Sequence, residues 1–309
     1  MMNGLELVGK YFWEYGAPII EQKFSDYKER IAAGLVGDGS ECYGFDDEIS
    51  RDHDWGSGFC LWLNKRDYRA IGAKLEEKLA KLPVDFGGLG PRKVTEWGKG
   101  RVGVFEIGEF YKSLIGFDHV PTSIKEWRII PEINLAAGTN GQVFTDPLGE
   151  FTSFRERLKN FYPEDVRLKK IASRCMAIAQ LGQYNFMRCV RRKEVVAARY
   201  VEAQFCAQVI SLIFLLNRQY TPFYKWMHRA MKGLPILGEV IYKLLSDIVI
   251  SYGFGKKSQL MEETCANIID EFRREGLSDS PSDFLMEHGP IVQSKIQDEE
   301  LRNVDVRLE

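Results

Sequence analysis

The sequence predicts an α+β fold in which a strand-bearing N-terminal half precedes a helical C-terminal half. Short apolar segments at residues 33–36, 59–63 and 101–107 have the composition and alternation of β-strands. From Thr152 onward these patterns fade, and apolar residues recur at three- and four-residue intervals. A chain of 309 residues is long enough for two domains at roughly 150 residues each. We therefore expect one domain over residues 1–151 and a second over residues 152–309.

Other elements of the first half follow from the same patterns. Residues 5–33 and 67–82 carry apolar residues at helical spacing and predict helices, although Gly16-Ala17-Pro18 interrupts the first. A further helix is predicted from Glu109. Residues 142–151 predict a strand, a turn and a return strand, with the residue at the turn, Asp146, forming the turn and binding no ligand.

The second half reads as a bundle of helices. Apolar spacing predicts helices over residues 166–192 and 193–216, and two antiparallel helices are the simplest arrangement. Further helices are expected over residues 234–275, with a break at Leu234-Pro235-Ile236-Leu237-Gly238. The N-terminal domain is thus expected to be a mixed sheet with helices, followed by a C-terminal helical bundle.

Composition places the chain among cytoplasmic globular proteins. Hydrophobic residues make up 45% and charged residues 28%, and the formal charge of −2 argues against nucleic acid as the partner, because phosphate backbones select basic surfaces. The six cysteines form no Cys-x-x-Cys pair, which favours reduced thiols over zinc ligands or disulfides. The chain opens without the basic start and apolar core of a signal peptide, and its longest apolar run, Val209–Leu216, is too short to cross a bilayer.

The stretch from Val36 to Leu63 contains the residues that carry chemistry. A Gly39-Ser40 turn is followed by an acid-x-acid pair, Asp52 and Asp54. If the pair lies on an extended segment, both carboxylates point to the same face. Mg²⁺ takes oxygen ligands and is commonly held by one or two carboxylates and substrate phosphates. The alternative is a solvated acidic loop, because Asp46-Asp47-Glu48 crowds the same region.

This arrangement resembles the Gly-Ser…Asp-x-Asp signature of the DNA polymerase β-type nucleotidyltransferase superfamily. The fuller wording, Gly-Ser-x-x-x-Gly-x-Asp-Asp-x-x-Ser-x-Asp-His-Asp-Trp-Gly, is similar to the bacterial family called DUF4037, a branch of that superfamily. Segments 183–188 and 215–226 match the same family. The pattern departs at Asp38 and His53, where apolar residues are usual.

The resemblance implies roles for the motif residues. The Gly39-Ser40 turn would hold a nucleoside triphosphate, and Asp52 and Asp54 would bind Mg²⁺ or Mn²⁺. Such enzymes place a third carboxylate on a later strand, where it binds metal or takes the proton of the attacking hydroxyl. Glu106 is our candidate for it, and a simple charge at the end of an edge strand is the alternative. Asp118 and Glu132 are the next candidates.

Related small-molecule nucleotidyltransferases pair this domain with a helical partner that supplies a cation to the triphosphate. By that resemblance Lys225 is the first candidate for the phosphate contact and Arg188 the second. The cluster of tyrosine, lysine and tryptophan around Lys225 also fits a surface that covers apolar area. Glu202 is a candidate base toward the acceptor, against the ordinary alternative of a solvated helix face.

The expected activity is transfer of AMP from ATP to a hydroxyl of a small molecule, such as an antibiotic or a metabolite, with release of pyrophosphate. One alternative keeps the reaction but makes the acceptor a protein or an RNA end. Another is a catalytically degenerate module that binds nucleotide or pairs with a toxin. A purely structural helical protein would leave the acid pair unexplained.

Overall fold

The computed structural model describes residues 2–88 and 90–309, with the backbone alone at Trp97. It has the predicted α+β class, with one mixed four-stranded sheet among many helices. Contacts divide the chain into two compact units. Unit 1 is Met1–Pro121 with Ile133–Asn160, and unit 2 is Thr122–Glu132 with Phe161–Glu309.

The sheet lies in unit 1. Its strands are β1 (Ala32–Leu35), β2 (Cys60–Leu63), β3 (Gly103–Glu106) and β4 (Gln142–Thr145), in the spatial order β3-β2-β1-β4. β1 is antiparallel to β2 and to β4, while β2 is parallel to β3. Every residue of β1 and β2 is buried, as expected of central strands built from short apolar runs. The strands predicted at residues 33–36, 59–63 and 101–107 are confirmed: β1 is displaced by one residue, and β2 and β3 are shorter than predicted.

In the described part of unit 1, six α-helices accompany the sheet, while α5 (Ile124–Ile129) belongs to unit 2. The six are α1 (Gly4–Tyr11), α2 (Ala17–Lys23), α3 (Lys65–Leu79), α4 (Ile107–Ile115), α6 (Glu132–Thr139) and α7 (Glu150–Lys159). A π-helical turn, Phe12–Gly16, joins α1 to α2, so Pro18 falls in the first turn of α2, where its missing N–H costs nothing. The helix predicted over residues 5–33 is thus divided by this π-helical turn, and its second part, α2, ends at Lys23.

Near residue 150 the structure has a helix where the sequence predicts a return strand, and unit 1 continues past residue 151. The predicted return strand is wrong, because Asp146 accepts hydrogen bonds from the backbone N–H groups of Gly149 (3.1 Å) and Thr152 (2.7 Å) and starts α7 instead. That contact agrees with Asp146 as a turn former. Phe151 of α7 is fully buried and stacks on Trp62 of β2 at 3.8 Å between ring centroids. α7 thus packs on the sheet, and unit 1 extends to Asn160.

The remaining helices form unit 2. They are α8 (Glu164–Ile178), α9 (Phe186–Arg191), α10 (Val195–Leu216), α11 (Tyr224–Met231), α12 (Gly238–Ile250), α13 (Phe254–Arg274), α14 (His288–Ser294) and α15 (Glu299–Arg302). A π-helical segment, Ala179–Asn185, links α8 to α9. The helical character predicted for this half is confirmed.

α10 has a strongly apolar composition. Among the described residues it is the one helix long and apolar enough to cross a membrane, with 22 residues and a mean hydropathy of 1.3 in its most apolar window. Of that window 61% is buried inside the protein, and a buried core helix passes the same length test. Its buried face includes Phe205, Val209 and Leu212, which places it in the core of unit 2.

Candidate functional site

The turn that follows β1 is fixed by glycine geometry and by one amide side chain. Gly37 and Gly39 have φ of +124° and +138°, which L side chains rarely adopt. Asn140 holds the turn from the loop before β4: its Oδ1 accepts from the Gly37 N–H at 3.0 Å, and its Nδ2 donates to the Gly37 oxygen at 2.7 Å. Ser40 is half-buried, so a ligand can reach its hydroxyl. The turn is therefore rigid and open to one side.

The acid pair does not lie on an extended segment, so the condition under which both carboxylates would share one face is not met. Asp52 ends a 3₁₀ turn, Ile49–Asp52, and Asp54 has a left-handed backbone with φ of +52°. β2 begins later, at Cys60. The cause is that Asp54 bonds to a neighbouring loop and not to a strand: its N–H donates to the Lys93 oxygen at 2.7 Å.

The two acids therefore have different surroundings. The Asp52 side chain is 62% exposed, and its Oδ1 lies 2.6 Å from Nδ1 of His53. Asp54 is 4% exposed, and its two carboxylate oxygens accept from the N–H of Thr95 (2.8 Å) and from its hydroxyl (2.5 Å). Burial alone would raise the pKa of Asp54, but the Thr95 hydrogen bonds, with Arg101 and His53, outweigh it and lower that pKa. Asp54 is thus a fixed anion, and Asp52 is the accessible one.

Arg92 joins the acid loop to the Gly-Ser turn. Its NH2 donates to the backbone oxygen of Asp54 at 2.6 Å and lies 3.7 Å from Oε1 of Glu41, the residue after Ser40. Burial raises the pKa of the Glu41 carboxyl, although Arg92 and Arg101 oppose the shift. Sequence reasoning missed both Glu41 and Arg92. Glu41 adjoins the motif and could have been weighed, whereas Arg92 lies in a glycine- and proline-rich loop with no recognisable signal.

The directions of the strands determine which of the predicted site residues lie at the same end of the sheet. In the antiparallel pair, Gly34 of β1 faces Cys60 of β2, so the turn after β1 and the acid loop before β2 leave the same edge of the sheet. Glu106 pairs with Leu63 and therefore lies toward the opposite edge. Its two oxygens accept from the N–H groups of Gly108 (3.0 Å) and Glu109 (2.8 Å) and cap α4. The structure does not bring Glu106 to the acid pair, and we correct its assignment as the third carboxylate.

The cations predicted on the helical side are both on the surface of unit 2. Lys225 is exposed, with Nζ 4.6 Å from the ring centroid of Trp226. Arg188 is exposed over the ring of Tyr184 at 4.7 Å. Cation–π contacts of this kind fit the surface alternative given above. Their roles toward a triphosphate stay predictions.

A cavity of about 380 Å³ adjoins the acid loop. Gly58, Phe59 and Arg92 line it on one side, and Leu79 and Val102 contribute apolar surface on another. This volume falls in the range that binds small molecules, roughly 300–1,000 Å³. The cavity lies wholly within unit 1.

The donor set for a metal ion is small. Among residues 2–88 and 90–309, no three histidine, cysteine or carboxylate side chains are grouped to hold a metal. Asp52 and Asp54 are two carboxylates of one loop, and a carboxylate has about four lone-pair sites, so the Thr95 bonds leave acceptor capacity on Asp54. Mg²⁺ often takes its remaining ligands from substrate phosphates and water. The chemistry of the residues fits a cation that arrives with a nucleotide.

Comparison with known proteins finds one family to which a segment of the chain is similar. Residues 127–227 match the model described as "Domain of unknown function (DUF4037)". The match confirms the family resemblance and includes Arg188 and Lys225, while the Gly-Ser turn and the acid pair lie outside it. No curated protein and no solved structure matches the chain. The family description names no activity.

Proposed function

We propose that this protein is a nucleotidyltransferase that uses Mg²⁺ or Mn²⁺ to transfer AMP from ATP to a hydroxyl of a small molecule. One observation carries the proposal: the Gly39-Ser40 turn and the acid pair leave the same edge of the sheet from two antiparallel neighbours, β1 and β2. A phosphate binder and carboxylates are thereby presented together. The polymerase β-like class of the fold is part of this proposal, as is a cytoplasmic location.

The residues of the turn would bind the nucleotide. Positive-φ glycines let backbone N–H groups approach phosphate oxygens closely, and Ser40 adds a hydroxyl donor. Asp52 and Asp54 would hold the cation, which neutralises charge on the α-phosphate and on the leaving pyrophosphate. Arg92 fixes the acid loop relative to the turn through Asp54 and Glu41. The cavity beside Phe59 has room for a small acceptor.

The reaction is an in-line displacement. The acceptor hydroxyl oxygen forms a bond to the α-phosphorus as the bond from that phosphorus to the bridging oxygen of the β-phosphate breaks. Pyrophosphate leaves with the electron pair, and the hydroxyl proton passes to a base or to water. Positioning and electrostatic stabilisation carry most of such catalysis. Glu41 is a further carboxylate beside the turn, and its contact with Arg92 gives it a positioning role.

A degenerate nucleotide-binding module is the second candidate, and a specific observation favours it. Both oxygens of Asp54 are engaged by Thr95, and the acids do not share one strand face. A protein of this kind would bind ATP without turnover. The formal charge of −2 makes an RNA acceptor the weaker form of the enzyme hypothesis.

Pyrophosphate release tests the proposal. Wild-type protein, Asp52→Asn and the matched control Glu48→Gln are incubated with ATP, Mg²⁺ and pools of hydroxyl-bearing small molecules. Glu48 is an exposed acid of the same loop, so its variant makes the same charge change away from the proposed ligands. We expect release by wild type and Glu48→Gln and loss in Asp52→Asn. ATP binding without pyrophosphate from any pool would favour the degenerate module.

A further inference from the structure

Helix α8 of unit 2 carries polar side chains that are buried under the segment 304–309. Lys169 and Lys170 are only 1% and 4% exposed. The Nζ of Lys169 donates to the backbone oxygens of Val304 (2.9 Å) and Asp305 (2.7 Å). Lys169 therefore holds the segment by its backbone, which accounts for this lysine without a ligand.

Lys170 has a partner of a different kind. Its Nζ donates to Oε2 of the Glu309 side chain at 2.9 Å, and the guanidinium of Arg174 contacts the other carboxylate oxygen. The NH2 of Arg128, on α5, donates to the backbone oxygen of Glu309 at 2.7 Å. Cations from two helices thus converge on one acidic residue.

The walls of this cluster are preorganised and hold unused hydrogen-bonding groups. Nε of Arg174 donates to the Ser211 hydroxyl (2.9 Å), which donates to Oε2 of Glu132 (3.1 Å) and so orients the guanidinium. In the part of the chain that the structure describes, Oε1 of Glu132, Nε of Arg128 and the hydroxyl of Tyr162 are buried without partners. Tyr162 itself is 3% exposed. The Arg128 Nε and the Tyr162 hydroxyl are therefore donors that Glu309 does not use, whereas Glu132 Oε1 can only accept.

The net charge of the cluster indicates which kind of ligand it would bind. Counting side chains, Arg128, Lys170 and Arg174 bring three positive charges, and Glu132 and Glu309 bring two negative ones, a side-chain balance of +1. Withdrawal of Glu309 leaves +2. A phosphate group carries about −1.5 to −2 charges near neutral pH and has three acceptor oxygens, so it would neutralise that balance. Burial lowers the pKa of Lys170 to about 8, with Glu132 opposing the shift, so an incoming anion would also favour its charged form.

We propose that Arg128, Lys170 and Arg174 form a binding site for a phosphate group, and that the Glu309 carboxylate occupies this site in its place. The site lies wholly in unit 2 and is independent of the acid pair. The segment 304–309 acts as a strap: a phosphate-bearing ligand and Glu309 compete for the same cations. The cations lie within the matched family segment, and Glu309 lies outside it.

Calorimetric titration with inorganic pyrophosphate tests the site, without ATP, added metal or turnover. The proteins are wild type, Glu309→Gln, Glu309→Gln/Lys170→Met, and the control Glu300→Gln. Glu300 is an exposed acid paired with Lys125 at 3.4 Å, so its variant changes charge equally outside the site. Glu309→Asp, which withdraws the carboxylate by one methylene, gives the same comparison if Glu309→Gln does not fold.

We expect Glu309→Gln to bind pyrophosphate at least about tenfold more tightly than wild type, since a competing internal anion is removed. The Lys170→Met change should abolish that gain, and Glu300→Gln should behave as wild type. No gain in Glu309→Gln would overturn the proposal and leave Glu309 as a structural ion pair. A gain that survives Lys170→Met, or that Glu300→Gln reproduces, would overturn it as well.

Discussion

The guanidinium of Arg92 donates a hydrogen bond to the backbone oxygen of Asp54 over 2.6 Å. The same nitrogen lies 3.7 Å from the buried carboxylate of Glu41. One side chain from the loop before β3 therefore joins the Gly-Ser turn to the acid loop. Together with the bond from the Asp54 N–H to the Lys93 oxygen, this link holds Asp54 against the neighbouring loop.

Replacing Arg92 with methionine should loosen both loops at once. The change leaves the Asp54 oxygen without its donor and removes the Arg92 charge from beside the buried Glu41, so we expect the free energy of unfolding to fall by about 1–3 kcal/mol. Chemical denaturation measures the change, and ATP affinity should fall with it. Arg66→Met, at an exposed position of α3, serves as the control. Equal stability of the two variants would show that Arg92 does not join the loops.

Gly39→Ala should damage the turn more than Gly37→Ala. Both glycines have positive φ, but a Cβ at Gly39 would lie 2.7 Å from Oε2 of Glu41, while at Gly37 nothing lies within 4 Å. Backbone strain of about 1–3 kcal/mol is expected for each, and Gly39→Ala adds the displacement of Glu41. Thermal unfolding and ATP titration compare the pair. A larger loss for Gly37→Ala would contradict this account of the turn.

The pH dependence of stability should report the Thr95–Asp54 contact. The pKa of Asp54 is lowered in the folded state, so its contribution is present above the ordinary value of 3.8 and is lost as pH falls through the lower folded value. Thr95→Val removes the hydroxyl donor, so the free energy of unfolding should fall less steeply between about pH 5 and pH 3. Thr152→Val is the control. An unchanged slope in Thr95→Val would mean that the hydroxyl does not hold Asp54.

Lys257→Met should destabilise unit 2 strongly. Lys257 is fully buried, and its Nζ donates to Oε1 of Glu202 at 2.6 Å and to the backbone oxygen of Ile248 at the end of α12. Removing the lysine leaves Oε1 of Glu202 and the Ile248 oxygen without their donor, while Arg199 still bonds the other carboxylate oxygen at 3.0 Å, so we expect a cost of about 3 kcal/mol. The exposed neighbour gives the control, Lys256→Met. A loss no greater than that of the control would show that the Lys257–Glu202 pair does not stabilise unit 2.

The sequence predicted more of the fold than of the geometry of the candidate site. β2 and α8 were predictable because apolar spacing alone decides where buried strands and amphipathic helices form. The order of elements around the Gly-Ser turn was predictable for the same reason. The start of α7 was predicted as a strand, because the apolar and polar residues up to Phe151 alternate as in a strand. The stacking of Phe151 on Trp62, which packs α7 on the sheet, cannot be seen in the sequence. Such a contact joins residues far apart in sequence.

Site geometry depends on partners that no local pattern shows. Asp54 turns away from β2 because Lys93, Arg92 and Thr95 bond to it, and these residues follow it by about forty positions. Glu106 looked like a strand carboxylate, yet the parallel pairing of β3 carries it to the edge opposite the acid pair. Strand direction settles that question, and spacing along the chain does not.

Mg²⁺-dependent binding of ATP to Asp52 tests the central claim most directly. Calorimetric titration of ATP, with and without Mg²⁺, into wild type, Asp52→Asn and Glu48→Gln compares two equal charge changes in one loop. We predict that wild type and Glu48→Gln bind ATP more tightly with Mg²⁺ and that Asp52→Asn loses this dependence by at least about tenfold. Equal Mg²⁺ dependence in all three proteins, or no ATP binding by wild type, would contradict the account.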